Sequence, residues 1–198
     1  MGVAIRVSVI DGATNTVIST ISVGSFPYNV GVNSSTNRIY VTNSQSNTVS
    51  VIDGTTNTVT STVSVGSYPW GVVVNSSRNR IYEANTNSNT VIVIDGATNT
   101  VLSTVSGGSS PFGVGINSST NRIYVANAVS NTVSVIDDSP SSPPTVTTSS
   151  ATNVTSNSAT LNGTVNANGA STTAWFEYGT TSGSYSSTST TQSVSGSS

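Results

Sequence analysis

A 42-residue unit recurs along most of this sequence. Residues 7–48 and residues 91–132 are identical at 31 of 42 positions, and residues 49–90 follow the same frame with no insertion or deletion. Copies this similar must fold alike. The repeat therefore predicts one structural unit built three times in succession rather than three separate sites.

Each copy contains four short segments rich in Val, Ile, Thr and Tyr, the residues that favour β-strands. Turn sequences such as Asn-Ser-Ser-Thr-Asn and Asp-Gly-Thr-Thr-Asn separate these segments. In the first complete copy the predicted strands are 28–33, 38–42, 48–53 and 58–65. A Gly-Ser-aromatic-Pro segment then leads to the next copy, because proline cannot continue a ladder. The pattern predicts an all-β fold of four-stranded antiparallel, propeller-type blades.

A tetrapeptide recurs in the second strand of each copy. It reads Tyr-Val-Thr-Asn at 40–43, Tyr-Glu-Ala-Asn at 82–85 and Tyr-Val-Ala-Asn at 124–127. With Arg-Ile at 38–39 and Val-Ile-Asp-Gly at 51–54, it resembles the YVTN family of β-propeller repeats of microbial cell-surface and surface-layer proteins. The resemblance implies a propeller fold. It implies little about activity, because propellers host many unrelated functions.

The predicted strands do not add up to a closed ring. The chain begins at the third strand of a blade, completes two blades at about 28–65 and 70–106, and adds three strands at 112–137. Closed propellers have about four to eight blades, so this ring is open or incomplete. Exposed strand edges at its ends can pair with other chains. Three alternatives remain: a fragment of a longer protein, a ring completed by a second copy, or a polymer.

The repeat domain is predicted to cover 1–138. Residues 139–144 read Ser-Pro-Ser-Ser-Pro-Pro, which is typical of an extended linker. Beyond it, Ser-Ala-Thr-Leu-Asn-Gly-Thr-Val at 158–165 and Trp-Phe-Glu-Tyr-Gly at 175–179 resemble the first half of a fibronectin type III-like sandwich. Such sandwiches need about 100 residues. Residues 145–198 are therefore predicted to form a partial β-sandwich.

Charged residues are unusually scarce, at 6% of the chain against about 25% in an average soluble domain. The sequence has no His and no Cys. The common catalytic sites that use these residues as nucleophile or general base, and the common zinc sites, therefore lack their usual residues. Five Arg without Lys form no basic surface for nucleic acid. We expect no catalytic residues, no metal site and no cofactor. We also expect no membrane span, and this chain contains no recognisable signal peptide.

Two charged positions recur in register, and both are predicted to be structural rather than calcium-binding or catalytic. An Asp precedes the turn after the third strand, where its carboxylate can accept backbone N–H bonds. An Arg opens the second strand, where its guanidinium can pair with a turn carboxylate or carbonyl groups. These residues are Asp11, Asp53, Asp95 and Asp137, and Arg38, Arg80 and Arg122.

Aromatic residues flank the proline that leads into each copy. Their simplest role is packing between blades, and the alternative is an aromatic surface for a glycan or a protein partner. They are Phe26, Tyr28, Tyr68, Trp70 and Phe112.

Glycosylation sequons recur at the turn between the first two strands and again beyond the linker. If these turns are exposed, they can carry glycans. The acceptor residues are Asn33, Asn75, Asn117, Asn153 and Asn162.

Repetition without catalytic groups favours a structural or adhesive protein at the cell surface or outside the cell. Its expected partners are other copies of itself, assembled as a homo-oligomer, layer, sheath or filament, with glycans or cell-surface proteins as further partners. The alternative function is a glycan- or protein-binding propeller module from a larger surface protein.

Overall fold

The computed structural model describes residues 5–139, 144–167, 172–180 and 184–194, and every helix or strand assigned in these ranges is a β-strand. The chain divides into two compact units, Met1–Ser139 and Pro140–Ser198. Residues 140–143 of the predicted linker lie outside the described residues.

The first unit consists of consecutive antiparallel strands joined by tight turns. Its strands are β1 (Arg6–Asp11), β2 (Thr16–Ser22), β3 (Pro27–Asn33), β4 (Arg38–Asn43), β5 (Thr48–Asp53), β6 (Thr58–Ser64), β7 (Pro69–Asn75), β8 (Arg80–Asn85), β9 (Thr90–Asp95), β10 (Thr100–Ser106), β11 (Pro111–Asn117), β12 (Arg122–Asn127) and β13 (Thr132–Asp137).

These strands form four separate sheets. β1 and β2 are a two-stranded N-terminal hairpin, β3–β6 form blade 1, β7–β10 form blade 2, and β11–β13 form a three-stranded blade 3. The order within each sheet follows the chain, so each blade is a meander. The prediction of an all-β fold with about three propeller-type blades in an open arrangement is confirmed.

An asparagine closes each of the nine hairpin turns in the described part of this unit. Asn37, Asn47 and Asn57 in blade 1 have φ angles of 52–55°, and the equivalent Asn residues of the other turns are similar. Asparagine tolerates this left-handed conformation better than most residues. This explains why every turn sequence in the repeat ends in Asn.

Hydrophobic side chains fill the space between successive blades. Between blades 1 and 2 the buried residues are Tyr40, Val49, Val51, Val63, Val72, Ile81, Ile92 and Ile94. Between blades 2 and 3 they are Tyr82, Val91, Val93, Ile123 and Val125. Each blade thus presents a tyrosine face (Tyr40, Val49 and Val51 in blade 1) to the next blade. It presents an isoleucine face (Ile81, Ile92 and Ile94 in blade 2) to the preceding one.

The second unit is built from short antiparallel pairs. β14 (Thr145–Thr152) pairs with β15 (Thr160–Asn166), β16 (Thr172–Ala174) with β19 (Gln192–Val194), and β17 (Glu177–Tyr178) with β18 (Ser187–Thr188). The partial sandwich predicted here stays a prediction.

Candidate interaction surfaces

The tyrosine face of blade 3 is exposed, although the same face is buried in the two preceding blades. Tyr40 and Tyr82 are fully buried, whereas Tyr124, their counterpart in blade 3, is 39% exposed. Val133, the counterpart of the buried Val49 and Val91, is 62% exposed. An apolar surface whose repeat equivalents lie in a core is a candidate interaction surface.

The isoleucine face of blade 1 is incompletely covered at the other end of the unit. Val30 and Val32 are 47% and 55% exposed, whereas their counterparts Val72 and Val74 pack into the core between blades 1 and 2. Among the described residues the N-terminal hairpin supplies only the third and fourth strands of a blade, and no described strands equivalent to β3 and β4 cover these valines. A groove of about 300 Å³ lies here, lined among others by Val7, Val9, Val30, Val32 and Ile39.

Four of the five predicted partner-binding aromatics, all except Phe26, form a cluster that bridges the three blades. The ring of Trp70 lies 4.1 Å from that of Tyr28 and 4.3 Å from that of Phe112, measured between centroids. Tyr68 lies 5.5 Å from Trp70. The rings are tilted or edge to face, which is a favourable packing geometry and not a flat stacking platform.

Phe26 and Tyr68 differ from the other aromatics in their backbone conformation. Their φ angles are 59° and 60°, and Ser110 at the same position of the third copy has φ 54°. A bulky residue in this left-handed region is strained by about 1–3 kcal/mol. Phe26 is exposed, whereas Tyr68 is half-buried and packs against Trp70.

The register-repeated aspartates lie where the sequence places them, before the turns. Asp53 Oδ1 accepts hydrogen bonds from the N–H groups of Thr55 (2.8 Å) and Thr56 (3.1 Å). These backbone donors lower the pKa of Asp53 from its ordinary value. Asp11 and Asp95 make the same pair of bonds, and Asp137 accepts one from Ser139 N–H.

The register-repeated arginines do not behave alike. Arg38 lies 3.3 Å from Asp53, and Arg122 lies 3.9 Å from Asp137 in an exposed pair. Arg80 contacts Asp138 of blade 3 rather than the turn aspartate of its own blade, and this short contact raises the pKa of Arg80. Arg80 therefore joins two blades.

Asp138 is the centre of a buried charge cluster that the sequence did not reveal. Its carboxylate accepts from Arg80, lies 3.5 Å from Arg78 Nε, and accepts a 2.8 Å hydrogen bond from Asn75 Nδ2. The Asp138 side chain is 1% exposed. The signal that could have revealed this cluster is departure from the repeat. Arg78 replaces a threonine, and Asp138 replaces the glycine of the other three turns.

Glu83 is a second charged residue that departs from the repeat, because Val41 and Val125 occupy its position in the other copies. It is fully buried, and burial raises its pKa to about 8. The Asn85 side chain and the backbone of Trp70 act against this rise in pKa, but neither makes a well-formed hydrogen bond with the carboxyl oxygens. Glu83 is therefore a core residue whose carboxyl group is mainly protonated at neutral pH.

The structure buries two of the five predicted glycan acceptors, Asn33 and Asn75. Asn33 Nδ2 donates to Asn79 of the next blade (2.8 Å), and Asn75 Nδ2 donates to Asn121 and Asp138. Both residues are buried, so the nitrogen that would carry a glycan is inaccessible in the fold.

The other three sequons lie in more open positions. Asn117 is exposed, since no blade follows blade 3 in the described part of the unit to supply a counterpart of Asn79. Asn153 is also exposed, whereas Asn162 is half-buried and donates to the Ser150 carbonyl. Glycosylation at these three positions stays a prediction.

Within the described ranges, no group of three or more acidic, His or Cys residues is arranged to hold a metal ion. Nor do these ranges contain a helix with the length and hydropathy needed to cross a membrane.

Comparison with solved structures shows the fold alone. Hydrazine synthase of Kuenenia stuttgartiensis matches with a TM-score of 0.59 and 19% identity over 74% of this chain and 45% of that one. A functionally unknown protein from Desulfotomaculum acetoxidans DSM 771 matches with a TM-score of 0.55 and 18% identity over 67% and 48%. This chain thus spans less than half the length of either structure. The likeness is consistent with propeller-like blades.

No protein-family model and no curated protein matches the sequence. The YVTN and fibronectin type III resemblances therefore stay predictions.

Proposed function

We propose that this protein is a non-catalytic structural or adhesive protein of the cell exterior that assembles with other copies of itself into a layer, sheath or filament. The observation that carries the proposal is the exposure of Tyr124, whose counterparts Tyr40 and Tyr82 are buried between blades. A face that packs against a following blade twice within the chain has the shape and chemistry to pack against a blade of another copy.

The two exposed faces are different surfaces, so contact between them is heterologous. A heterologous contact either closes into a ring or continues as a filament. The low net charge of −2 also favours association, because copies repel one another little. Because charged residues are scarce, the polar groups of the surface are mainly hydroxyl and amide groups. This composition supports a location outside the cell.

Replacing Tyr124 by Asp is expected to weaken self-association about 30-fold or more. The substitution places a charge in the apolar contact and removes an aromatic side chain of the kind that dominates interfaces. Light scattering coupled to size-exclusion chromatography, over a concentration series, measures the effect. Because Tyr124 is partly exposed in the single copy, far-UV circular dichroism should be unchanged.

Val129→Asp is the matched control. Val129 lies in a turn of the same blade and is more exposed than Tyr124, but Gln45 and Asn87 occupy its place in the other copies. It should associate like the wild type. A wild-type protein that stays monomeric at high concentration, or a Tyr124→Asp protein that associates normally, would contradict the proposal.

A second candidate function is glycan binding by the strained aromatics. Backbone strain is a recognised feature of binding sites, and both the exposed Phe26 and the half-buried Tyr68 have strained backbones. Serine occupies this position in the third copy with a similar φ, so Phe26→Ser and Tyr68→Ser should both fold. The candidate predicts that a glycan-array signal of the wild type is lost in Tyr68→Ser. An array without signal, or one that both variants leave unchanged, removes this candidate.

A further inference from the structure

The first and last strands of the first unit have nearly the same sequence. β1 contains Val-Ser-Val-Ile-Asp at 7–11, and β13 contains the identical pentapeptide at 133–137. Both strands occupy the third position of a blade. β1 precedes the fourth-position strand β2, and β13 follows the second-position strand β12.

The described part of this unit therefore has a third-position strand at each of its two ends. Blade 3 has the first, second and third strands of a blade, and the N-terminal hairpin has the third and fourth. If two copies are placed end to end, the third position is filled twice and every other position once. If one of the two third-position strands is left out, the twelve remaining described strands of each copy make up three four-stranded blades.

We propose that β1 and β2 of a second copy pair with β12 in place of β13. β11 and β12 of one copy then form a complete four-stranded blade with β1 and β2 of the other. The inference rests on the proposed self-association and specifies its geometry. The new contact continues the interface that the chain makes between blades 1 and 2 and between blades 2 and 3.

The register of the new pairing follows from the existing ones. Tyr40 lies opposite Val51, and Tyr124 lies opposite Val135, the counterpart of Val9. In the shared blade Tyr124 therefore lies opposite Val9 of the second copy. Val9 packs against blade 1 of its own chain. Pairing with Val9 therefore places Tyr124 against blade 1 of the second copy.

The groove beside the hairpin is where this tyrosine face would lie. Tyr40 packs in the core with Val72, and Val74 contacts that core. Their counterparts in blade 1 are Val30 and Val32, which are exposed and line the groove. The shared blade covers both of them together with Tyr124.

Strand exchange is required because two strands compete for one position. Tyr124 can pack against Val30 and Val32 of the second copy, in the geometry of Tyr40 and Val72, only if β12 lies beside β1 of that copy. β13 occupies that side of β12 in the single copy, so it must leave.

Ile10 supports the same arrangement from the other face of the blade. It is 62% exposed, whereas its counterparts Ile52 and Ile94 are buried. In the shared blade Ile10 takes the place of Ile136, which packs against the core between blades 2 and 3.

The Asp138 cluster holds β13 in the single copy. Asp138 directly follows β13 and is anchored to blade 2 through Arg80, Arg78 and Asn75. Displacing β13 has to break these contacts. Weakening the cluster should therefore promote exchange.

Engineered cysteines test the register, because the chain has no cysteine of its own. Ala126 lies opposite Val133, so it should lie opposite Val7 of the second copy. Directly opposed strand residues have the spacing that a disulfide needs. Ala126→Cys and Val7→Cys proteins, mixed under mild oxidation, are expected to form a covalent heterodimer. Ser8→Cys replaces Val7→Cys as the control, since Ser8 points to the opposite face, and its yield should be about tenfold lower.

Asp138→Gly provides a second readout. If β13 must leave, this substitution should strengthen self-association about tenfold or more, since it removes a buried ion pair that opposes exchange. Unchanged association, or no preference for the Val7 and Ala126 pair, would overturn strand exchange and leave the proposed function standing. A wild type and an Asp138→Gly protein that are both monomeric would contradict both.

Discussion

The Glu83→Val protein is expected to be more stable than the wild type by about 3 kcal/mol at pH 7. Glu83 is fully buried without a well-formed hydrogen bond, and its pKa is raised from 4.5 to about 8. Folding must therefore keep the carboxyl protonated at a pH where the unfolded chain ionises. At pH 7, which lies below the raised pKa, the cost is set by the interval between the unfolded pKa of 4.5 and pH 7, at about 1.4 kcal/mol per pH unit. Valine already occupies the same buried position as Val41 and Val125.

The effect should depend on pH in a defined direction. Because the folded state binds this proton more tightly than the unfolded state, the associated stability is fully present below pH 4.5. It is lost as pH rises towards about 8. Wild-type stability should fall across this window, and Glu83→Val should lack that fall. The sequence has no histidine to titrate in the same range.

Urea unfolding between pH 5 and 8, followed by tryptophan fluorescence, measures both effects. A Trp175→Phe background leaves Trp70 as the only tryptophan, so the signal reports on the first unit. Val41→Glu is the matched reverse substitution and should introduce the same pH dependence into blade 1. Equal pH slopes for the wild type and Glu83→Val would contradict the assignment of a raised pKa to Glu83.

Asp138→Gly is expected to destabilise the first unit by about 3 kcal/mol. The substitution leaves Arg78 and Arg80 without their common carboxylate and removes the acceptor of the Asn75 amide. Breaking a buried ion pair costs about 3–5 kcal/mol. The lower value applies because both guanidinium groups remain partly exposed. Glycine is tolerated by this turn, since Gly54 and Gly96 occupy the same position.

A double-mutant cycle separates this interaction from general destabilisation. Arg78→Thr restores the residue of the other copies, and the double variant with Asp138→Gly should lose less stability than the two single variants together. A coupling of about 1–2 kcal/mol in urea unfolding is expected. Asp137→Ala is the control, because this neighbouring carboxylate is exposed and should have a much smaller effect. Additive single substitutions would contradict the buried cluster.

Repetition made the blades predictable. Alternating apolar residues, turn sequences ending in Asn and a constant period specify strands and hairpins through local interactions. Asp53 illustrates this, because its hydrogen bonds reach only two and three residues along the chain. The roles of Asn33 and Arg80 were not predictable in the same way. Asn33 bonds to a residue 46 positions away, and Arg80 bonds to one 58 positions away.

The 42-residue repeat by itself determined the strand order and the turn conformations, because each depends on neighbours within one copy. The number of copies determined that about three blades form. Only the tertiary structure decided which equivalent residues are buried. Tyr40, Tyr82 and Tyr124 have similar local sequences, but in the described unit only the first two are followed by another blade. Burial depends on what packs against a face, and that neighbour lies outside the copy. For the same reason the repeat alone did not show that Glu83 and Asp138 are buried, since the groups that bury them belong to adjacent strands or blades.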